Sequence, residues 1–178
     1  MKTIRTLFTF VAAIAVCTNI SACRQGGQQK AEAKAEAKGK TLVAYFSATR
    51  TTARAAQQIA KETGGELYEI TPAQLYTAAD LDWNDKQSRS SVEMNDPNSR
   101  PALKAKKADI GSYDTVYLGY PIWWGVAPRI INTFIESHDL RGKRVLPFAT
   151  SGGSGIERSV KELKASYPDI VWGEGKMY

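Results

Sequence analysis

The chain has few of the residues that build metal sites, disulfides and nucleophile–base pairs. It has two cysteines and one histidine among 178 residues, and both cysteines, Cys17 and Cys23, lie near the amino terminus. The rest of the chain lacks cysteine, which excludes disulfides, iron–sulfur clusters, thiolate zinc sites and cysteine nucleophiles from the body of the protein. The single histidine, His138, follows a predicted helix in a charged stretch, and we interpret it as a surface residue at a helix end.

Positive charge is also scarce where a nucleic-acid partner would need it. The net charge is +6, but residues 1–40 hold seven of the 24 Lys and Arg and only two of the 18 Asp and Glu. The other 138 residues therefore carry 17 basic and 16 acidic side chains, and their net charge is close to zero. Because a nucleic-acid interface needs a basic face on the folded domain, the sequence predicts no nucleic-acid partner.

The first 40 residues lack the pattern of a folded domain. A basic start precedes an apolar run over 6–20 that is too short for a stable transmembrane helix, as in secretory signals. The residues Ile20-Ser21-Ala22-Cys23 resemble a bacterial lipobox, which implies a signal peptide over 1–22 and a lipidated Cys23; a plain secretory signal is the alternative. Residues 23–40 contain Ala-Glu-Ala-Lys twice in succession and are predicted to be a charged tether. We therefore expect an exported domain, 41–178, anchored to a bacterial membrane on its periplasmic or cell-surface side.

Strand and helix patterns alternate from Thr41 onward. Short apolar runs predict buried strands, and helical patterns follow them after loops rich in Ser, Thr or Gly. The predicted strands are 41–46, 66–71, 115–120, 144–150 and 170–172, and the predicted helices are 53–62, 129–137, 156–165 and a further one around 83–93. This alternation predicts an α/β fold with a doubly wound parallel sheet, whose ligand lies at the carboxyl ends of the strands.

Three loops, after predicted strands one, three and four, are expected at that edge. The first has hydroxyls and an arginine directly before a helix, which suits a phosphate, although the hydroxyls could simply cap the helix. The second places two indoles beside proline and glycine, a flat apolar wall for a planar ring. The third is rich in glycine, so its backbone can approach a ligand closely. Core packing and an ordinary turn are the alternatives for the second and third loops.

The motifs of these loops resemble those of the flavodoxin family, over Thr41 to Gly175. The resemblance is closest to a bacterial branch with Pro-Ile-Trp-Trp-Gly and Ser-Gly-Gly-Ser-Gly loops. It implies a five-stranded sheet in the order 2-1-3-4-5 and non-covalent binding of flavin mononucleotide (FMN). It also implies three sets of binding residues, for the 5′-phosphate, one side of the isoalloxazine ring and its other edge: Ser47, Thr49, Arg50, Thr51 and Thr52; Pro121, Ile122, Trp123, Trp124 and Gly125; Ser151, Gly152 and Gly153.

Two features depart from the family pattern. Arg50 and Thr51 stand where glycine and asparagine are common, and arginine does not readily adopt a positive φ. The sequence also stops soon after the fifth predicted strand, without the helix that usually closes the family's fold. We therefore expect an uncovered apolar sheet face, which a second copy in a homodimer, another partner or the membrane could cover.

The resemblance leaves three functions open. We expect an electron carrier that passes electrons to a redox partner protein or a small acceptor. An FMN-dependent reductase of quinones with a nicotinamide donor is the first alternative, in which the long segment 72–112 could roof a pocket. A flavodoxin-fold lipoprotein that has lost FMN and serves as an interaction module is the second. No side chain is predicted to be catalytic, because a flavin would supply the chemistry.

Overall fold

In the computed structural model, the described residues are 39–107 and 109–178. The predicted signal peptide, the lipidation site Cys23 and nearly all of the predicted tether lie outside them. Lys40 pairs with Asp114 through two hydrogen bonds: its N–H donates to Asp114 Oδ2 at 3.0 Å, and its carbonyl accepts from the Asp114 N–H at 2.9 Å. Within the two described ranges, no helix is long and apolar enough to span a membrane.

The central sheet is parallel throughout. Its strands β1 to β5 lie in the order β2-β1-β3-β4-β5, which confirms the predicted order. A further strand, β6, occupies the same edge as β5: β5 pairs with the start of β4, and β6 pairs with Phe148 and Ala149 near its end. Two short strands thus form the sheet edge for which the sequence predicted one strand. The bounds are Thr41–Tyr45, Glu66–Glu69, Thr115–Pro121, Arg144–Thr150, Val171–Trp172 and Lys176–Met177.

Four α-helices connect the strands in the described part of the chain: α1 (Thr51–Thr63), α2 (Arg89–Asn95), α3 (Arg129–Glu136) and α4 (Glu157–Ser166). Three of them agree with the predicted helices to within two residues. The helix predicted around 83–93 was wrong at its start. It begins only at Arg89, because the Ser88 side chain caps it by accepting from the Ser91 N–H at 3.3 Å. Trp83 consequently lies in the turns before α2.

The helices cover the two faces of the sheet. On one face, α1 packs Ala56 and Ile59 against Val43, Tyr45 and Phe148. On the other, α3 and α4 contribute to a larger cluster that contains the following buried residues, among others: Leu42, Ala44, Leu118, Tyr120, Ile130, Ile131, Phe134, Val160 and Leu163. Each such side chain stabilises the fold by roughly 1.5–3 kcal/mol when removed from water. Burial on both faces fixes the sheet and, with it, the loops that leave its carboxyl edge.

The edge of the sheet at β4 and β5 is only partly covered on the α1 face. The ring of Tyr178 packs against Phe148 at a centroid distance of 5.9 Å, whereas Leu146 is half-buried and Val171 is 56% exposed. No helix follows β6 in the described residues. The homodimer expected from this face stays a prediction.

Candidate functional site

The first loop, residues 47–50, joins β1 to α1 and directs backbone donors at one point. The Ser47 hydroxyl accepts a hydrogen bond from the Ala53 N–H at 3.2 Å, so it caps the helix. Within the described residues, the N–H groups of Thr49, Arg50, Thr51 and Thr52 have no hydrogen-bond acceptor. Four open N–H groups at the positive end of a 13-residue helix form an arrangement suited to an anion.

Arg50 has the backbone conformation that the sequence made doubtful. Its φ is 62° and its ψ is 1°, which is the left-handed region, and it precedes α1 as the N-cap residue. An L-residue loses roughly 1–2 kcal/mol in this conformation. Arginine is therefore strained where the family often has glycine. Its side chain is exposed and makes no ion pair with another described residue.

Hydrogen bonds hold the three loops together. Thr52 Oγ1 and Thr150 Oγ1 are 2.8 Å apart and buried, so the start of α1 is tied to the end of β4. The Ile122 N–H donates to the Thr150 carbonyl at 2.9 Å, which ties the second loop to the same strand. Because its hydroxyl is bonded to Thr150, only the backbone N–H of Thr52 is open toward the first loop. Thr49 and Thr51 keep exposed hydroxyls, 3.5 Å apart.

The second loop, residues 121–128, contains a tight two-residue turn. Trp123 and Val126 exchange two backbone hydrogen bonds of 3.0 Å, and the residues between them, Trp124 and Gly125, have φ values of 49° and 83°. Positive φ at both central positions matches a type I′ turn. Tryptophan is strained at the first position, and the residue is 46% exposed. Backbone strain that presents an aromatic ring to solvent points to a functional site.

Two neighbours of the second loop, Tyr76 and Arg158, were not predicted from the sequence. Trp123 packs edge-on against Phe46 and Tyr76, with ring centroids 5.6 and 5.4 Å away. Arg158, in the first turn of α4, lies against Gly125, where an added Cβ would come within 3.2 Å of its Nη1. No sequence motif marks either Tyr76 or Arg158, because tertiary packing alone brings them to this loop.

The third loop, residues 151–155, is open. The Ser151 hydroxyl accepts from the N–H groups of Gly153 and Ser154 at 3.2 and 2.9 Å and so shapes the turn itself. A Cβ added at Gly152 or Gly153 would meet no described atom within 4 Å, and neither residue needs a positive φ. The protein's own packing therefore does not require glycine at these two positions, and the open loop leaves room for a ligand to approach its backbone.

A cavity of about 410 Å³ lies beside the first loop. Six of its lining residues belong to the first two loops: Ala48, Thr49, Pro121, Ile122, Trp123 and Trp124. Three others, Leu81, Trp83 and Ser90, come from the connection between β2 and β3, and none of them was predicted from the sequence to belong to the site. None of these side chains is charged. A cavity of this size and lining suits an uncharged planar group.

His138 does not contribute to this site. Its Nδ1 is 2.7 Å from the Phe134 carbonyl, and its Nε2 accepts from the Lys107 N–H at 2.9 Å. Both ring nitrogens are thus used within the fold, and burial lowers the pKa of the imidazole below its ordinary value. The predicted position at a helix end agrees with its place after α3, but the prediction of a surface residue was only partly right, because the ring is half-buried and both nitrogens are bonded.

Sequence and structure comparisons place the chain among known proteins. A sequence model of the family described as Flavodoxin matches residues 40–178. A search of curated proteins found no match. A proposed flavoprotein from Bacteroides eggerthii is 67% identical with a TM-score of 0.77, and the match covers 78% of this chain and 87% of that one. For a proposed flavoprotein from Bacteroides uniformis the values are 64%, 0.77, 78% and 89%.

A more distant structure shares the fold. The flavoprotein of Lactobacillus acidophilus, solved in complex with FMN, is 22% identical with a TM-score of 0.65, and the match covers 78% of this chain and 93% of that one. The family match extends over most of the chain, including all three loops, and the two Bacteroides structures agree with it in sequence and fold. The chain therefore belongs to the flavodoxin family.

Proposed function

We propose that this protein binds FMN non-covalently at the carboxyl edge of its sheet and works as a redox protein. The supporting observation is that the open N–H groups of the first loop lie beside an uncharged cavity lined by indoles. An anion site next to an apolar slot fits a ligand with a phosphate at one end and a planar ring at the other. Two close relatives are described as proposed flavoproteins, and a distant one was solved with FMN.

In this proposal, the first loop holds the phosphate. The N–H groups of Arg50, Thr51 and Thr52 donate to its oxygens, and the exposed hydroxyls of Thr49 and Thr51 add further donors. The Arg50 guanidinium supplies positive charge, and charge-assisted hydrogen bonds are about twice as strong as neutral ones. Ser47 acts indirectly, because it fixes the start of α1.

The second and third loops hold the ring. Pro121, Ile122, Trp123 and Trp124 form an apolar wall, while Gly125 and the open backbone of Ser151, Gly152 and Gly153 allow close approach. Bound FMN supplies one- and two-electron transfer, and the protein binds and orients it. The low polarity of the indole wall disfavours an anionic reduced ring and so lowers the reduction potential.

The proposal is tested by adding one negative charge at the first loop and, as a control, elsewhere on α1. Thr51→Glu places a carboxylate beside the phosphate site, and Gln57→Glu makes the same charge change at an exposed position nearly two turns away. In FMN titrations we expect tight binding by the wild-type protein and Gln57→Glu, and binding weakened by about 30-fold or more in Thr51→Glu. An acidic residue in the first helical turn favours the helix, so this loss would not reflect unfolding. A colourless wild-type protein that takes up no added FMN would overturn the proposal in favour of an interaction module.

We propose that the bound flavin serves electron transfer to a partner rather than turnover of a substrate, because no Asp, Glu, Lys, Arg, His or Cys is among the described residues that line the cavity. A reductase is the second candidate, favoured by the way Leu81 and Trp83 close one side of the cavity. Rapid oxidation of NADH or NADPH by the FMN-loaded protein and a quinone, with no reductase added, would decide for the second candidate.

We further propose that Cys23 carries a lipid that anchors the protein to a bacterial membrane after export. The support is the sequence Ile20-Ser21-Ala22-Cys23 and the charged tether that follows it. Cell fractionation tests this, since Cys23→Ser should move the protein out of the membrane fraction. Equal membrane association of both forms would contradict the anchor.

A further inference from the structure

We propose that the connection between β2 and β3 forms a fourth wall of the FMN site, in addition to the three strand-end loops. The Trp83 indole would lie against the ring, and the Ser90 hydroxyl would donate a hydrogen bond to it. This inference rests on the proposed function, because it concerns the same ring. It adds two residues that lie outside the three strand-end loops. It also identifies the ligand feature that they recognise, a planar heteroaromatic ring with acceptor atoms at its edge.

Trp83 is presented to the cavity rather than buried in the core. It is 72% exposed and lines the same cavity as Trp123 and Trp124. The turns around it are well defined, since Asp82 Oδ1 accepts from the Asn84 N–H at 3.0 Å and Asp85 Oδ1 accepts from the Gln87 N–H at 2.8 Å. A large exposed aromatic ring on an ordered turn, at the mouth of an apolar cavity, is typical of a contact surface.

The rest of the site has room for such a wall. Trp123 and Trp124 supply aromatic surface from the second loop, whereas the third loop, Ser-Gly-Gly-Ser-Gly, has no apolar side chain to offer. The fourth tryptophan, Trp172, is engaged elsewhere, because its Nε1 donates to the Tyr167 carbonyl at 2.9 Å. Among the residues that line this cavity, Trp83 is the aromatic residue outside the second loop, so it can add a second apolar surface there.

Ser90 provides an independent observation. It lines the cavity, yet its side chain is only 2% exposed. Its hydroxyl has one neighbour, Ser88 Oγ at 3.5 Å, which is longer than an ordinary O–H···O hydrogen bond. Ser88 itself makes a closer bond, donating to Ser91 Oγ at 2.9 Å. Because Ser88 uses its one hydroxyl proton in that bond, only Ser90 can donate across the 3.5 Å contact. That contact is long, so the Ser90 proton can turn to a nearer acceptor, and the edge of a flavin ring carries acceptor atoms.

The connection is held firmly against the second loop. The Tyr76 ring contacts Trp123 edge-on, and its hydroxyl donates to the Glu93 carboxylate. Arg89 lies over the Tyr76 ring at 4.0 Å and donates to Glu93 Oε1 at 2.6 Å and to the Gln74 carbonyl at 2.7 Å. This network fixes both ends of the segment that carries Trp83 and Ser90. A wall fixed before the ligand arrives loses little entropy on binding.

The experiment measures FMN affinity and dissociation rate with the 178-residue chain and four variants. Trp83→Ala should weaken binding by about tenfold, a loss typical of removing a stacked aromatic residue, with most of the change in the dissociation rate. Trp83→Phe should restore most of the affinity, because it keeps an aromatic surface. Ser90→Ala should weaken binding by about fivefold through one lost hydrogen bond. Val92→Ala is the control, since Val92 is 51% exposed on the adjacent helix and does not line the cavity.

Circular dichroism checks that each variant is folded. The Trp83 variants are expected to fold because Trp83 is largely exposed. If wild type binds FMN and Trp83→Ala binds as tightly as Val92→Ala, the fourth wall is wrong while the proposed function stands. Equal weakening in Trp83→Phe and Trp83→Ala would also overturn the stacking role. If wild type takes up no FMN, both proposals fail together.

Discussion

The two ends of α1 have the same backbone conformation but different residues. At the carboxyl end, Gly64 has a φ of 70° and its N–H donates to the Ala60 carbonyl at 2.9 Å, which closes the helix without strain. At the amino end, Arg50 has a φ of 62°, where a side chain is disfavoured. Glycine stands at the end that lies away from the site, and arginine stands at the end that forms part of the predicted phosphate loop. We infer that Arg50 is retained for its guanidinium, despite the strain.

The same contrast extends to the two edges of the sheet. At the amino edge, polar side chains are paired within the protein: His138 uses both ring nitrogens, and Arg100 donates to both Glu136 oxygens at 2.7 and 2.8 Å. At the carboxyl edge of the described chain, N–H groups lack acceptors, the buried Ser90 hydroxyl has one long contact, and the Trp83 and Trp124 residues are exposed. Satisfied groups stabilise the fold, whereas open groups at one edge are available to a ligand.

Replacing Arg50 by glycine should have the largest effect and the clearest one. FMN affinity should fall by about 10- to 100-fold, because a hydrogen bond to a charged partner is worth about 1.5–3 kcal/mol. The free energy of unfolding should rise by about 1 kcal/mol, since the strain is relieved. FMN titration and urea unfolding measure the two changes. Higher stability with unchanged affinity would mean that the two ends of α1 differ for no functional reason.

The complementary substitution, Gly64→Ala, should lower stability and leave FMN binding intact. A Cβ at this position meets no described atom within 4 Å, so the change isolates the backbone strain. We expect the free energy of unfolding to fall by about 1–2 kcal/mol. Urea unfolding of wild type and variant gives this difference, and an FMN titration serves as the control. A weakened affinity would show that strain at the far end reaches the site.

The smallest effect is expected at His138, which represents the paired edge. Burial lowers its pKa in the folded state, so the unfolded chain, with an ordinary pKa of 6.5, binds the proton first as pH falls. Stability should therefore decrease as pH drops below about 6.5, and no further loss from this group follows below its folded pKa. Arg100 holds the pKa of Glu136 below its ordinary 4.5, so that carboxylate contributes its own loss only at lower pH.

Unfolding measured at pH 7.5 and pH 5.5 tests this expectation. Wild type should lose stability over this interval, and His138→Gln should lose less, because it has no imidazole to protonate. The FMN affinity of the variant should match that of wild type at pH 7.5. Identical pH dependence in the two proteins would rule out His138 as the source.

Much of the fold and part of the site could be predicted from local patterns. The strands of residues 41–45 and 144–150 are short apolar runs, and their order follows from the alternation with helices and from the family resemblance. The three loops were predicted because Ser, Trp and Gly motifs directly follow strands. The start of α2 was misplaced because Asp82 and Asp85 form turns and Ser88 caps the helix, so the chain becomes helical only at Arg89.

The sequence alone determined the parallel sheet, its carboxyl edge and the loops placed there, because strand period, helix period and turn residues are local properties of the chain. Only the tertiary structure decided that Arg50 accepts a strained conformation, that Thr52 bonds to Thr150, and that Trp83 and Ser90 share a cavity with Trp123. The last two relations join residues far apart in the chain, and the conformation of Arg50 is held by the elements packed on either side of its loop. Local residue preferences contain no information about such contacts.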